Sequence, residues 1–299
     1  MIEELIEQFG RRAKPDEPMS RHTTFRIGGP ADLLLDVETR DELRTVLDDA
    51  REHERVVTVI GRGANVLVRD GGIRGIVLRL TGDFREIAFA ADGRTVEVGA
   101  GTSLGRLVAE TVKSGLDGFA WAAGIPGTVG GAVLMNAGSW GHAMSEFVQT
   151  LNVMTRDGNE VTFGAEEVVF GYRSARLPVG EAIVCGVTLR LESIETGGKD
   201  APALKAEYLA QKLRTQPLKV ASAGCVFKNP PGTSAGELID RAGLKGTRVG
   251  GAVVADMHAN YIVNDGNATA ADVLELIDRI RDRVKQAFDV ELTLELRIL

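Results

Sequence analysis

The chain has 299 residues, enough at about 100–200 residues per domain for two or three domains. Hydrophobic residues make up 44% and charged residues 26%, the balance of an ordinary globular protein, and 35 Lys and Arg against 42 Asp and Glu leave a net charge of −7. That sign argues against nucleic acid or an anionic membrane surface as the main partner and points to small molecules.

In chain order, the opening MIEELIEQFGRRAKPDEPMS is acidic and helical in character, without the basic start and apolar core of an export signal. No run of 18 apolar residues offers a membrane span. Ala31 to Val37 reads as a strand, and Thr39 with Glu42 forms a capping box that opens a helix to about His53. Val56 to Ile60 is a buried-type strand, followed by Gly61-Arg62-Gly63-Ala64-Asn65 and a second strand, Val66 to Arg69. A dinucleotide fingerprint of the Rossmann type needs its glycines between a strand and a helix, so this loop is of another kind. Six β-rich stretches follow between Gly75 and Glu192, around a helix beginning near Ser103 and a long small-residue loop from Trp121 to Gly138. Thr196 to Ala203 is the candidate boundary, and either a hinge or a fixed surface loop. Beyond it the pattern predicts a helix over Leu204 to Gln216 and another over Ala270 to Phe288, with Val273, Leu276, Ile277, Ile280 and Val284 on its buried face. Val290 to Leu299 reads as a strand.

The 36 glycines, about one residue in eight, exceed the usual share of about 7% and cluster where loops would close on a ligand. The clusters are Gly61 to Gly75, Gly124 to Gly141 and Gly243 to Gly251, and the loop GRGANVLV in the first offers consecutive N–H groups for a phosphate oxygen, with Asn65 adding a side-chain amide. Gly124-Ile125-Pro126-Gly127-Thr128-Val129-Gly130-Gly131 lets backbone lie flat against a planar or anionic ligand. Asn136-Ala137-Gly138 stands next to it. Two such loops suggest a large ligand with both phosphates and a ring. The two cysteines, Cys185 and Cys225, make no disulfide framework, which fits a reducing compartment. No two of His22, His53, His142 and His258 are spaced as metal ligands on one helix face, and no metal site is expected.

The strings RHTTFRIGGPA, GRGANVLVRDGG, AGIPGTVGGAVLMNAGSWG, GYRSARL, SAGCVFKNP, ELIDRAGLKGTRVGGA and HANYIVN occur in that order from Arg21. Together they closely resemble the UDP-N-acetylenolpyruvoylglucosamine reductase (MurB) family, in its shorter subclass without an inserted substrate-capping loop. The resemblance implies an α+β chain with an FAD-binding fold of the vanillyl-alcohol-oxidase (PCMH) type in two N-terminal domains, residues 1–79 and 80–194. A C-terminal α+β substrate-binding domain would span 201–289, with the strand 290–299 returning near the active site. It further implies non-covalent FAD held by Ile60, Gly61, Arg62, Gly63, Ala64, Asn65 and Val66. A second set, Ala123, Gly124, Ile125, Pro126, Gly127, Thr128, Gly130, Gly131, Asn136, Ala137 and Gly138, would complete that site. Where relatives commonly carry glycine and serine, this chain has Arg62 and Ala64.

Carried over to this sequence, the family's catalytic positions fall on Arg173, to bind the carboxylate of the enolpyruvyl group, and on Glu295, a protonated partner at the same oxygens. The general acid, usually serine, is here Cys225. A thiol, with a reference pKa near 8.5, is a more willing proton donor than a hydroxyl. Tyr172, Arg173, Lys228, Asn229 and His258 match the substrate region, although a structural role for His258 is nearly as well founded. The expected activity is NADPH-dependent reduction of UDP-N-acetylglucosamine enolpyruvate to UDP-N-acetylmuramate, in the cytoplasm, with no nucleic-acid or membrane partner. The oligomeric state is open, with a monomer favoured. Two alternatives stand beside it: a flavin oxidase of another small molecule on the same fold, and a non-catalytic nucleotide-binding module.

Overall fold

The computed structural model describes residues 2–116, 118–191 and 200–299. Helix α1 (Ile2–Phe9) passes into a 3₁₀ turn over Gly10–Arg12 and then strand β1 (Ala13–Pro18), so the helical character of the opening segment ends at Arg12. Gly10, in the left-handed region at φ +54°, ends the α-helix, and Pro15, which lacks an N–H, keeps helix from resuming. Strand β2 (Pro30–Val37), helix α2 (Arg40–Glu52) and strand β3 (Val57–Val59) follow the pattern read from the sequence. Thr39 Oγ1 accepts the Glu42 N–H at 3.2 Å, while the Glu42 carboxylate takes the N–H of Glu38 at 2.7 Å.

Strand β4 is short, Val66–Leu67. Then come β5 (Ile73–Leu80), β6 (Ile87–Phe89), β7 (Thr95–Gly99) and α3 (Leu104–Lys113), which Ser103 caps. The stretch from Trp121 to Gly138 is not all loop: α4 (Val129–Leu134) lies inside it. Thr128 caps this helix, and Gly130 is required because a Cβ there would stand 2.9 Å from Ala100 Cβ. Hairpin strands β8 (Gly138–Ser139) and β9 (His142–Ala143) precede β10 (Val148–Thr155) and β11 (Glu160–Gly164). A second hairpin, β12 (Val169–Gly171) and β13 (Ser174–Arg176), leads to β14 (Ala182–Arg190).

Of the expected boundary at Thr196 to Ala203, residues 196–199 lie outside the described residues, and α5 (Ala201–Thr215) starts within its last part. After it come β15 (Ser222–Cys225), α6 (Ala235–Arg241), β16 (Arg248–Val249), β17 (Ala252–Val254), β18 (Tyr261–Asn264) and α7 (Ala270–Phe288). Helix α7 has the predicted bounds, and all five predicted core positions are buried. In the final segment only β19 (Arg297–Ile298) is regular strand.

The larger sheets run β1-β2-β5-β3, β11-β10-β14-β7-β6 and β15-β18-β17-β16. Strands β3 and β5 are parallel, as are β19 and β4, and the five-stranded sheet is antiparallel. The chain divides into two compact units, one of Met1–Pro15, Leu33–Gly61 and Gly75–Gln211, the other of Asp16–Asp32, Arg62–Arg74 and Lys212–Leu299. Residues 1–79 are thus shared between both, and most of 80–194 belongs with Leu33–Gly61.

Each unit has its own core. In the first, Leu43, Val46 and Leu47 of α2 join Leu33, Leu35 and Val37 of β2 and the inner residues of the five-stranded sheet, among them Leu151, Val153 and Val187. In the second, the apolar face of α7 packs with Ile239, Val254, Ile262 and Phe227, and with Phe25, Ile27 and Leu67 from the N-terminal half of the chain.

Candidate active site

In the first unit, the end of one glycine loop meets the middle of the other. Gly61 lies so close to Thr128 that a Cβ at position 61 would overlap the threonine Oγ1. The back of the second loop is pinned by backbone bonds: Leu104 N–H to Gly127 O at 3.1 Å, Val129 N–H to Thr102 O and Gly130 N–H to Ala100 O at 2.9 Å each. Its other side is open. Pro126 and Gly131 are exposed, Gly127 sits at φ +132°, and a Cβ there would meet nothing within 4 Å.

Asn136 is buried, at φ +39°, and its amide is used at both ends: Nδ2 donates to Gly171 O at 3.1 Å and Oδ1 accepts the Ser145 N–H at 3.0 Å. It therefore braces the β12–β13 hairpin, whose two-residue turn is Tyr172–Arg173. Arg173 is in the left-handed region at φ +54°. Its guanidinium carbon lies 5.4 Å from the Tyr172 ring centre, and Nη1 comes within 3.3 Å of where Gly138 would carry a Cβ. Tyr172 is 55% exposed.

In the second unit, the remainder of the first loop is shaped by the segment Arg21 to Ala31. Gly63, at φ +61°, leaves no room for a side chain, since a Cβ would overlap His22 O and stand 2.7 Å from Thr23 Cα. The Thr24 hydroxyl donates to Ser222 O at 2.7 Å and lies 3.3 Å from Gly63 O. Arg62 is exposed and Ala64 half-buried. Asn65 Nδ2 donates to Glu295 O at 3.0 Å, and Asn65 O accepts the Arg297 N–H at 3.1 Å.

Cys225 ends β15, half-buried and opposite Tyr261 of β18. The residues after it pair with the C-terminal segment: Glu295 N–H donates to Val226 O and Lys228 N–H to Thr293 O, both at 2.9 Å, with Phe227 facing Leu294. Glu295 thus lies beside the residue next to Cys225. Asn260, 2% exposed, clamps the same segment by accepting the Phe227 N–H at 2.9 Å and donating to Phe227 O at 2.8 Å. Asn260 and Thr24 escaped the sequence reading as site residues, although HANYIVN and RHTTFRIGGPA contain them.

Asn229 Oδ1 accepts the Ala235 N–H at 3.1 Å at the start of α6. His258 Nδ1 lies 3.3 Å from the Asn260 N–H, its ring is edge-on to Tyr261 with centres 5.0 Å apart, and burial holds its pKa below the ordinary value of 6.5. Cys185, by contrast, is 1% exposed in β14, and burial pushes its thiol up to about 11, as a structural cysteine. A cleft of about 610 Å³ in the first unit, lined by Arg40, Glu86, Glu97, Asn152, Glu160 and Cys185 among others, contains none of the predicted site residues. Among the described residues no three His, Cys, Asp or Glu side chains are grouped to hold a metal ion, and no helix is long and apolar enough to cross a membrane.

Residues 31–164 match the FAD binding domain family, which makes this a flavin-dependent oxidoreductase fold. The described residues fit FAD: one loop presents an open, side-chain-free surface at Gly127 and Gly131, and the other approaches it at Gly61 with no space for a Cβ. Residues 216–299 match the C-terminal domain of UDP-N-acetylenolpyruvoylglucosamine reductase. The chain is 46% identical to UDP-N-acetylenolpyruvoylglucosamine reductase 2 of Symbiobacterium thermophilum, over 96% of this chain and 92% of that one. It is 38% identical to the Bacillus subtilis reductase, over 100% and 98%. The crystal structure of the Thermus caldophilus reductase superposes with a TM-score of 0.80 at 41% identity, over 94% of this chain and 97% of that one. The chain belongs to the UDP-N-acetylenolpyruvoylglucosamine reductase family. A Physcomitrella patens BBE-like 1 variant shares the fold alone, with a TM-score of 0.51 at 18% identity over 65% of this chain and 45% of that one.

Proposed function

We propose that this chain catalyses NADPH-dependent reduction of UDP-N-acetylglucosamine enolpyruvate to UDP-N-acetylmuramate, in peptidoglycan precursor synthesis. The observation that carries the reading is the bond from Glu295 N–H to Val226 O, which puts an acid beside the strand end that bears Cys225, in a chain aligned with reductases over nearly its whole length. A reaction that consumes NADPH and a nucleotide-linked sugar belongs in the cytoplasm.

The chemistry that bound FAD supplies is hydride transfer, from the nicotinamide and then to the β-carbon of the enolpyruvyl group. Main chain of Ile60–Val66 and Ala123–Gly138 holds the cofactor. Hydride arrival leaves carbanion character at the α-carbon, delocalised into the adjacent carboxylate. Arg173 stabilises that charge through two parallel N–H···O bonds. Its left-handed backbone costs about 1–3 kcal/mol, and Asn136 keeps the turn in place against that strain. Glu295, protonated, donates a hydrogen bond to the same oxygens. Cys225 Sγ gives its proton to the α-carbon, which completes the reduction.

Tyr172, Lys228 and Asn229 contact the sugar nucleotide. His258, whose ring is taken up by Asn260 and Tyr261, serves the pocket by supporting Asn260. The test is anaerobic NADPH oxidation with and without the enolpyruvyl sugar nucleotide, with the flavin band recorded in the same cuvette. Catalytic consumption only with that substrate is the expected result. Flavin that returns to its oxidised colour only when oxygen is admitted would make this an oxidase of another substrate.

A further inference from the structure

We propose that Asn65 is a positioning residue for Glu295, a role distinct from holding the cofactor and resting on the reading of Glu295 given above. Asn65 lies in a glycine loop that its residue types assign to phosphate binding, yet its Nδ2 donates to the carbonyl oxygen of Glu295, 230 positions away, at 3.0 Å. The same residue's carbonyl accepts the Arg297 N–H at 3.1 Å, so Asn65 grips the backbone on both sides of Leu296. From there β4 and β19 continue as a parallel pair, Arg297 against Val66 and Ile298 against Leu67.

Glu295 is held from its other side as well. Its N–H donates to Val226 O at 2.9 Å, and Leu296 N–H reaches the same oxygen at 3.3 Å. Both peptide groups of Glu295 are therefore fixed, one by the residue that follows Cys225 and one by a side chain. An amide suits the second of these contacts, because it donates to a carbonyl through Nδ2 while its own backbone accepts from the next N–H. An aspartate at this position would keep the shape and set a carboxylate oxygen against the Glu295 carbonyl. Misplacement of a catalytic group by about 1 Å costs up to about 100-fold in rate, and Glu295 has no regular strand of its own to hold it.

The test compares Asn65→Asp and Asn65→Ala with the parent protein and with Glu295→Gln, all loaded with FAD and all rates expressed per bound flavin. Flavin reduction by NADPH, which also depends on the cofactor loop that carries Asn65, is expected to slow less than reoxidation in both Asn65 variants. Flavin reoxidation by the enolpyruvyl sugar nucleotide is expected to slow about 10- to 100-fold, more in Asn65→Asp than in Asn65→Ala. Hydrogen exchange of the peptide covering residues 292–299 is expected to rise in the same order. Parental reoxidation in the Asn65 variants overturns the proposal. If Glu295→Gln is slow in that case, the fault lies in the positioning role; if Glu295→Gln is also parental, it lies in the reading of Glu295. Equal slowing of both half-reactions, or loss of flavin with parental reoxidation of what remains, makes Asn65 a cofactor-loop residue and overturns the proposal too.

Discussion

The main chain at Gly61 touches Thr128 so closely that any Cβ at position 61 would overlap Oγ1 and stand 3.1 Å from Cγ2. Two loops more than 60 residues apart are thereby set against each other within one unit. Gly61→Ala is expected to turn Thr128 out of its cap on α4 and weaken FAD binding about tenfold. Thr128→Ala removes the obstructing atoms, so the double variant should bind FAD better than Gly61→Ala alone, a non-additivity that flavin titration measures directly. Gly63→Ala is the harsher change, because it meets the backbone of His22 and Thr23 at a positive φ. A loss of about 1–3 kcal/mol in unfolding free energy is expected from the strain alone.

The two cysteines should behave as different chemical species. Cys185 is 1% exposed with its thiol pushed up to about 11 by burial, while Cys225 is half-buried at a strand end. Since the thiolate is the reactive form, limited alkylation at pH 8 is expected to label Cys225 and spare Cys185, as peptide mapping would show. Cys225→Ser should keep turnover within about tenfold. Cys225→Ala should lose about 10²–10⁴-fold in flavin reoxidation by substrate and retain flavin reduction by NADPH.

Asn136 binds Gly171 and Ser145 with one amide, and so links the segment beside Gly138 to the turn that carries Arg173. Asn136→Ala removes the partner of the Gly171 carbonyl and of the Ser145 N–H, both in part-buried hydrogen bonds worth about 0.5–1.5 kcal/mol net each. A left-handed alanine adds to that. The expected signature is a lower melting temperature together with a raised KM for the enolpyruvyl substrate, while the flavin content of purified protein is retained.

These cases mark where the sequence is legible. Helix α7 could be read closely because its apolar spacing runs the whole length of the element, and a 19-residue amphipathic helix needs little else. Helix α4 could not, because its small residues carry no periodic signal and two of its six are glycines, one of them packed closely on Ala100. The partners of Asn65 and Asn136 were equally hidden. Side-chain amides in glycine-rich segments look like ligand donors, and nothing local in the chain reveals that their partners are Glu295 and Gly171. Motif strings named the candidate site residues. The hydrogen bonds that hold them depend in part on pairings 230 positions apart and more, which no window of sequence contains.

His258 gives a pH-dependent prediction whose sign follows from its surroundings. Burial, assisted by the charge of Lys245, lowers its folded pKa below the ordinary 6.5. Its Nδ1 faces the Asn260 N–H and needs to remain an acceptor, and Asn260 in turn clamps Phe227. Below pH 6.5 the unfolded chain binds a proton at this position that the folded chain resists, so this residue's contribution to stability is complete above 6.5 and is lost as pH falls toward the folded pKa. The melting temperature is therefore expected to drop below pH 6.5 more steeply in the parent protein than in His258→Gln, whose side-chain oxygen can still accept from Asn260 but does not titrate. Melting curves of both proteins from pH 5 to 8 measure the difference, and parallel curves would remove His258 as the source. If the ring supports Asn260 and leaves substrate contact to other groups, His258→Gln should also keep the KM for the enolpyruvyl substrate within about twofold at about pH 7.5, where the parental imidazole is already neutral.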